Sequence, residues 1–188
     1  MIKVIIDPRC KFNYATYYIS GASEAFGVRN ITFDVSPFLE FQYNFILYEQ
    51  GLFMVFEQEG GKRNVYVDFH DSDTILEEVY CWCDVYAKIN VSKEINLTEK
   101  SKLLPIGPGF SVNPGSFFGF SVKTALNLIT LRKYIGVSFK SYVSDYLYPY
   151  VKRLTYHSYR HSSPVQDYIF SMSTLWYDEM TDITTNKY

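Results

Sequence analysis

The chain opens on MIKVIID, a nearly continuous apolar run that ends at a carboxylate, and this run constrains the fold more than anything after it. A strand with one wet face alternates apolar and polar residues. A short run without alternation is buried on both faces, as in a parallel sheet covered by helices. Asp7-Pro8 then breaks the run. Ala15, Tyr18, Ile19, Ala22 and Phe26 recur at helical spacing, and Gly27 supplies a C-terminal stop. Val28 to Val35 reads as a second strand. A strand–helix–strand unit of this kind closes right-handed with its strands parallel.

Further along, Pro37 to Glu49 fits neither period and reads as a short helix or irregular chain. Leu52 to Gln58 and Asn64 to Phe69, joined by Glu59-Gly60-Gly61-Lys62-Arg63, predict a β-hairpin. In its second arm Val65, Val67 and Phe69 face one way, and Tyr66, Asp68 and His70 the other. Asp71 or Asp73 is expected to cap a helix reaching about Tyr80, with Glu77 and Glu78 early in it, where acids suit the dipole. Cys83 to Val91 reads as a strand with Val85, Ala87, Ile89 and Val91 on one face. Leu103 to Gly109 reads as a short extended segment. Asn113-Pro114-Gly115 is a turn, after which Ser116 can cap a helix with Val122, Ala125, Leu126 and Ile129 as its buried stripe. A last helical pattern runs through Val143, Tyr146, Leu147, Tyr150, Val151 and Leu154, with Pro149 requiring a kink or a restart. Strands interleaved with helices predict an α/β fold with a mainly parallel sheet and one hairpin.

Composition narrows the function classes. A chain of 188 residues with 47% hydrophobic and 19% aromatic residues can bury a core and is not disordered. The net charge of −2 argues against nucleic acid as a partner. The charge is uneven, however: Arg132 to His161 holds six basic residues against Asp145 alone, a net +5 that leaves −7 for the remainder. Within it, the basic and aromatic stretch 150–161 suits anionic lipid headgroups, acidic sugars or phosphates, or a plain solvated helix. No apolar stretch reaches the length of a spanning helix, and the start lacks the h-region of a signal peptide. The three cysteines (Cys10, Cys81, Cys83) suit a reducing cytoplasm, where sequons at Asn30, Asn90 and Asn96 are chance matches.

The usual catalytic signatures are missing. Gly107-Pro108-Gly109 puts a proline ring where a phosphate cradle needs a free N–H, and no Gly-x-Gly-x-x-Gly follows the first strand. His157 and His161 stand four apart, but Ser158 occupies the place of the glutamate that a hydrolytic zinc helix needs. Cys81-x-Cys83 lacks a second pair. His70-Asp71 lacks the upstream histidine of a metal phosphohydrolase. No metal is therefore expected, and no Gly-x-Ser-x-Gly elbow is present. What remains is position. Open α/β sheets bind ligands at the carboxyl ends of their strands. Asp7, Arg9, Asn13 and Tyr14 follow the first strand, and His70 and Asp71 follow the hairpin. An imidazole or carboxylate there can take a proton from a hydroxyl. Capping and turn formation by Asp7, Asp71 and Asp73 is the competing explanation.

Several stretches, CDVYAKIN, KLLPIGPGF, VYVDFHDSD, and YIFSMSTLW followed by a polar loop and TTN, resemble in style and order a group of bacterial surface-polysaccharide glycosyltransferases. Those enzymes are built as two Rossmann-like domains facing across a cleft, the GT-B fold. The resemblance implies a Rossmann-like, three-layer, acceptor-side domain over residues 1–165. Tyr168 to Ser171, in the stretch 166–188, would then begin a second domain, which in that family holds most of the donor site. The implied reaction moves a sugar from a nucleotide-sugar donor to a saccharide acceptor, itself lipid-linked in some cases, with no cofactor. His70, Asp71 and Asp7 are the candidate bases. Arg9 is expected to grip phosphate bidentately. Asn13, Tyr14, Lys88 and Asn90 are expected against the substrate. Apart from the resemblance, cysteine usage predicts a cytoplasmic location, and the basic stretch predicts peripheral contact to anionic membrane through residues 150–161. The competing function is a non-catalytic, flavodoxin-like binding module.

Overall fold

The structure is a computed structural model and describes residues 1–42, 45–92, 100–115 and 139–160. The strand–helix–strand opening is present. Strand β1 (Lys3–Ile6) leads into helix α1 (Phe12–Phe26), and β2 (Ile31–Phe33) returns parallel to β1. Gly27 ends α1 at φ +84°, a left-handed conformation that glycine adopts without strain, while its N–H bonds the Ser23 carbonyl. The expected second strand is shorter than its apolar run, because Val28–Asn30 forms a 3₁₀ turn first. Ser36–Phe38 is a second 3₁₀ turn and α2 spans Phe45–Glu49, as the irregular pattern of that region suggested.

The hairpin is longer and tighter than the sequence implied. Strands β3 (Gly51–Gln58) and β4 (Gly61–Asp68) pair to Gln58↔Gly61, so the turn is Glu59-Gly60 alone. Gly60, at φ +97°, supplies the handedness, and Lys62 and Arg63 join the ladder. Helix α3 (Glu77–Trp82) starts later than expected, and neither Asp71 nor Asp73 caps it. The Leu76 N–H beside its first turn goes instead to the Tyr86 hydroxyl at 3.2 Å. Strands β5 (Val85–Lys88) and β6 (Leu103–Pro105) complete the sheet. Helix α4 (Phe139–Lys152) continues through Pro149 without a restart, and α5 (Tyr156–Arg160) follows. The expected Ser116 helix and the strand at Tyr168 lie outside the described residues.

The sheet order is β2-β1-β3-β4-β5-β6. β3 is antiparallel to both its neighbours, while β1–β2, β4–β5 and β5–β6 are parallel. Five strands therefore point one way, and the hairpin's first arm alone runs back through the centre. The protein is thus α/β with a mixed, mostly parallel six-stranded sheet, and the carboxyl ends of β1, β2, β4, β5 and β6 share one edge.

Strand alternation sorts the core into two faces. On one, Val4, Ile6, Leu52, Met54, Val67 and Ala87 pack against Phe12, Ala15 and Ile19 of α1 and Tyr146 of α4. On the other, Ile5, Phe53, Val55, Tyr66 and Tyr86 meet Phe38, Phe41, Leu47, Tyr48 and Val79. Gly51 permits the closest approach: a Cβ there would lie 1.9 Å from the Tyr66 hydroxyl oxygen and 2.7 Å from the Leu47 carbonyl oxygen.

Candidate active site at the carboxyl edge

The charged residues that follow the strands divide by the direction in which their strand turns them. Asp7 leaves β1 on the aromatic face and is fully buried. Arg9 folds back on it: Nε lies 3.0 Å from Oδ1 and Nη2 2.7 Å from Oδ2, and the Arg9 N–H donates to Oδ1. The same guanidinium donates to the Phe38 and Phe41 carbonyls and stands over the Tyr48 ring at 4.5 Å. Burial pushes the Asp7 carboxyl up, and the guanidinium and N–H of Arg9 pull it back. Three strands along the sheet, Lys88 is fully buried with its Nζ 2.9 Å from Asp68 Oδ2. That oxygen also accepts the Tyr86 hydroxyl at 2.6 Å, and Asp68 Oδ1 accepts the His70 N–H. Asp7, Arg9 and Lys88 thus aim their charges into the fold. The Lys88–Asp68 pair crosses from β5 to β4, and Arg9, paired within its own loop, ties that loop to the Phe38 and Phe41 carbonyls, so both fasten the edge from beneath.

The opposite parity opens to solvent. Phe69, Asp71 and Ile89 line a cleft of about 320 Å³ with Tyr14 and Tyr18 of α1, Glu49, Gln50, Pro108 and Gly109. Tyr18 lies nearly parallel to Phe69 at 6.2 Å, and Tyr14 is tilted against it at 6.3 Å. Gly109 lets the 107–109 loop rest on Tyr18, since a Cβ there would come to 3.0 Å from the ring. Asp71 is exposed, and its carbonyl accepts the Asn90 amide, which ties the two strand-end loops together. His70 is half-buried. Its Nδ1 accepts the Ser72 N–H at 3.1 Å, which leaves the ring proton on Nε2. In this arrangement His70 offers a donor and Asp71 the acceptor carboxylate.

A second, larger cleft of about 570 Å³ adjoins the first across Glu49. It is lined by Arg9, Lys11, Asn13, Glu49, Lys140, Asp145 and Tyr148, among others. Lys11 and Glu49 pair across it at 2.9 Å. Lys11 provides no side-chain cap for α1. That place is taken from α4, where Asp145 Oδ2 accepts the Asn13 N–H at 3.2 Å. A carboxylate satisfies the open N–H groups and suits the positive helix end. Burial pushes Asp145 above the ordinary aspartate range, and the Asn13 N–H and Lys11 act against it. The Asn13 Oδ1 accepts the Ser111 hydroxyl, so its side chain is oriented, while Tyr14 is exposed beside it.

Of the residues picked from the sequence, Asn13, Tyr14 and Asp71 border the clefts and His70 and Asn90 flank them. Asp7 and Lys88 are interior, and Arg9 reaches the larger cleft with 5% of its surface exposed. Glu49, Gln50, Lys140, Asp145 and Tyr148 were missed. Glu49 and Gln50 stand at this edge only because β3 runs backwards, a consequence already implicit in the hairpin. Lys140 to Tyr148 arrive through a tertiary contact that no local pattern encodes. The thiols of Cys10 and Cys83 are buried, and burial raises Cys83 to about 11, so neither is a nucleophile. Among the described residues no three His, Cys, Asp or Glu side chains gather as a metal site. Among them, too, no helix is long and apolar enough to cross a membrane. Compared with protein-family models, curated proteins and solved structures, the chain matches none.

Proposed function

We propose that the twin clefts bind a saccharide and that the chain is the acceptor-side, Rossmann-like domain of a glycosyltransferase using a nucleotide-sugar donor. One observation carries this reading. The open half of the carboxyl edge combines aromatic rings (Tyr14, Tyr18, Phe69, Tyr148) with hydrogen-bonding groups of both signs (Asn13, Glu49, Asp71, Lys140). Sugars present just these two surfaces, apolar C–H faces and a rim of hydroxyls. In the reaction Asp71 takes the proton of the acceptor hydroxyl. The acceptor oxygen bonds to the donor's anomeric carbon, and the bond to the nucleoside diphosphate breaks, its electron pair leaving with the phosphate oxygen. His70, a donor at Nε2, orients the acceptor. Asn13, Tyr14 and Asn90 shape the site, and Arg9, Asp7 and Lys88 hold it from below.

The inward turn of Asp7, Arg9 and Lys88 favours one alternative, a flavodoxin-like module that binds saccharide without chemistry. Titrating the chain with neutral and acidic oligosaccharides, then assaying sugar transfer by the full-length protein, in which a donor-side domain accompanies this one, with and without Asp71→Asn, separates the two. Binding lost in Tyr14→Ala, with transfer abolished in Asp71→Asn, supports the enzyme. Binding with no transfer in any arm supports the module. An absence of saccharide binding at millimolar concentration removes both.

A further inference from the structure

The helical pattern of the chain's basic segment does not bury the stripe that its apolar residues suggest. Helix α4 turns Tyr142, Tyr146 and Pro149 to the fold, where the Tyr142 hydroxyl bonds the Pro8 carbonyl and Tyr146 lies 4.2 Å from Phe12. Leu147, Tyr148 and Val151 point away, and with Leu154 just beyond the helix end they are 39%, 40%, 72% and 60% exposed. Leu147 and Val151, at i and i+4, share one helix face, and exposed Leu154 follows two residues past its end. Its charge is of one sign. Lys140 lies in line with the stripe, and Lys152 and Arg153 stand at its end, with the Arg153 guanidinium 5.2 Å over the Tyr148 ring. The sole carboxylate between residues 139 and 160 is Asp145, and it is turned to the N-terminus of α1.

From this we infer that the outer face of α4 docks on an anionic lipid surface. Leu147, Val151 and Leu154 enter the boundary between headgroups and chains, with Tyr148, Lys140, Lys152 and Arg153 at headgroup level. An apolar stripe whose own segment, residues 139–160, sets only cations beside it, with Asp145 turned inward and Glu49 paired to Lys11, is what such an interface accepts. Charge complementarity selects anionic lipid over a neutral apolar partner, since an uncharged groove would gain nothing from the cations. The face also borders the larger cleft, because Lys140 and Tyr148 belong to both. Docking would set that cleft beside the membrane surface. The inference stands whether or not the clefts bind saccharide.

Flotation of the full chain tests it, using phosphatidylcholine vesicles with and without phosphatidylglycerol, at low and high salt. The chain is expected to float with the anionic vesicles only, and less at high salt. Val151→Asp/Leu154→Asp should end flotation. Lys152→Gln/Arg153→Gln should weaken it about fivefold per cation removed and flatten the salt dependence. These side chains are exposed, so thermal unfolding should be unchanged. Should the aspartate variant misfold, the glutamine variant decides. No flotation with anionic vesicles, or flotation indifferent to both variants, overturns the inference. So does a free chain whose self-association, seen by sedimentation, disappears in Val151→Asp/Leu154→Asp, since the face is then an interface between copies.

Discussion

The two faces of the sheet are closed by different means. On the α1 face a fifteen-residue helix lies over aliphatic strands, and small or branched side chains (Ala15, Ile19, Val4, Ile6) let helix and sheet approach closely. Among the described residues, the opposite face has the short helices α2 and α3 and a 3₁₀ turn for cover. Bulk replaces length there: Phe38, Phe41, Phe53, Tyr48, Tyr66 and Tyr86 fill the space with rings 4.6 to 6.0 Å apart. Tyrosine suits irregular cover because its hydroxyl satisfies the orphan backbone groups that short elements leave. Tyr48 donates to the Phe41 carbonyl, Tyr66 to the Leu47 carbonyl, and Tyr86 accepts the Leu76 N–H. Burial raises all three phenols far above their usual range, so they remain neutral pegs. Both buried ion pairs also belong to this face. The helix face, with its backbone already satisfied, is where the edge stays open as clefts.

If the aromatic face is fastened by ion pairs, breaking one should be the costliest change. Lys88→Met leaves the Asp68 carboxylate buried against Tyr86 without a cation and should remove about 3–5 kcal/mol of unfolding free energy in urea. Asp68→Leu/Lys88→Met should recover most of that loss, because two apolar side chains leave no uncompensated charge. A loss below about 1 kcal/mol in the single variant would mean that the aromatic packing, not the pair, holds that face. The aliphatic face should answer to volume alone. Leu52→Ala, fully buried beneath α1, should cost about 2–5 kcal/mol with no dependence on pH. Next comes Gly51→Ala at the start of β3, where the added methyl meets the Tyr66 hydroxyl and backbone of Leu47. A cost of about 1–3 kcal/mol is expected, with Tyr66 displaced. A neutral result would show that the tyrosine peg is looser than its hydrogen bond implies.

How much of this could be read from residues alone follows the same division. The α1 face was legible, since MIKVIID and the Ala15–Phe26 spacing are local patterns with one period each. The hairpin was legible too, and with it the parity that sends Phe69 toward α1 and Tyr66 and Asp68 away. That parity, extended past the strand, would have set Asp71 on the cleft side and Asp68 inside. Position at a strand end does not distinguish the two, which is why Asp7 and Lys88 were picked alongside Asp71. The aromatic face was illegible because its cover around Phe38, Phe41, Leu47 and Tyr48 carries no period: its shape comes from rings fitting one another. Helix α4 misled in a different way. Its apolar residues mark a helix correctly, but tyrosines take the buried stripe, and the aliphatic residues that normally claim it face outward. Hydropathy ranks tyrosine below leucine, while burial here follows what Phe12 and Pro8 can partner.

The smallest expected effect concerns the one carboxylate that links the faces' periphery to α1. Asp145 supplies an acceptor to the Asn13 N–H at a helix end that favours negative charge, yet burial and Glu49 push its proton affinity up. The folded chain therefore holds the Asp145 proton to higher pH than the unfolded chain does. The resulting stability is fully present below the unfolded aspartate range and is lost as pH rises through the folded value. Asp145→Asn keeps an acceptor oxygen for Asn13 and removes the titration. Unfolding free energies measured from acid to neutral pH should show the wild type losing ground to Asp145→Asn as pH rises. If instead the wild type gains on the variant, the dipole of α1 and the nearby Lys11 outweigh desolvation. The larger cleft would then be bordered by a carboxylate that is ionised by design and not by one that burial holds back.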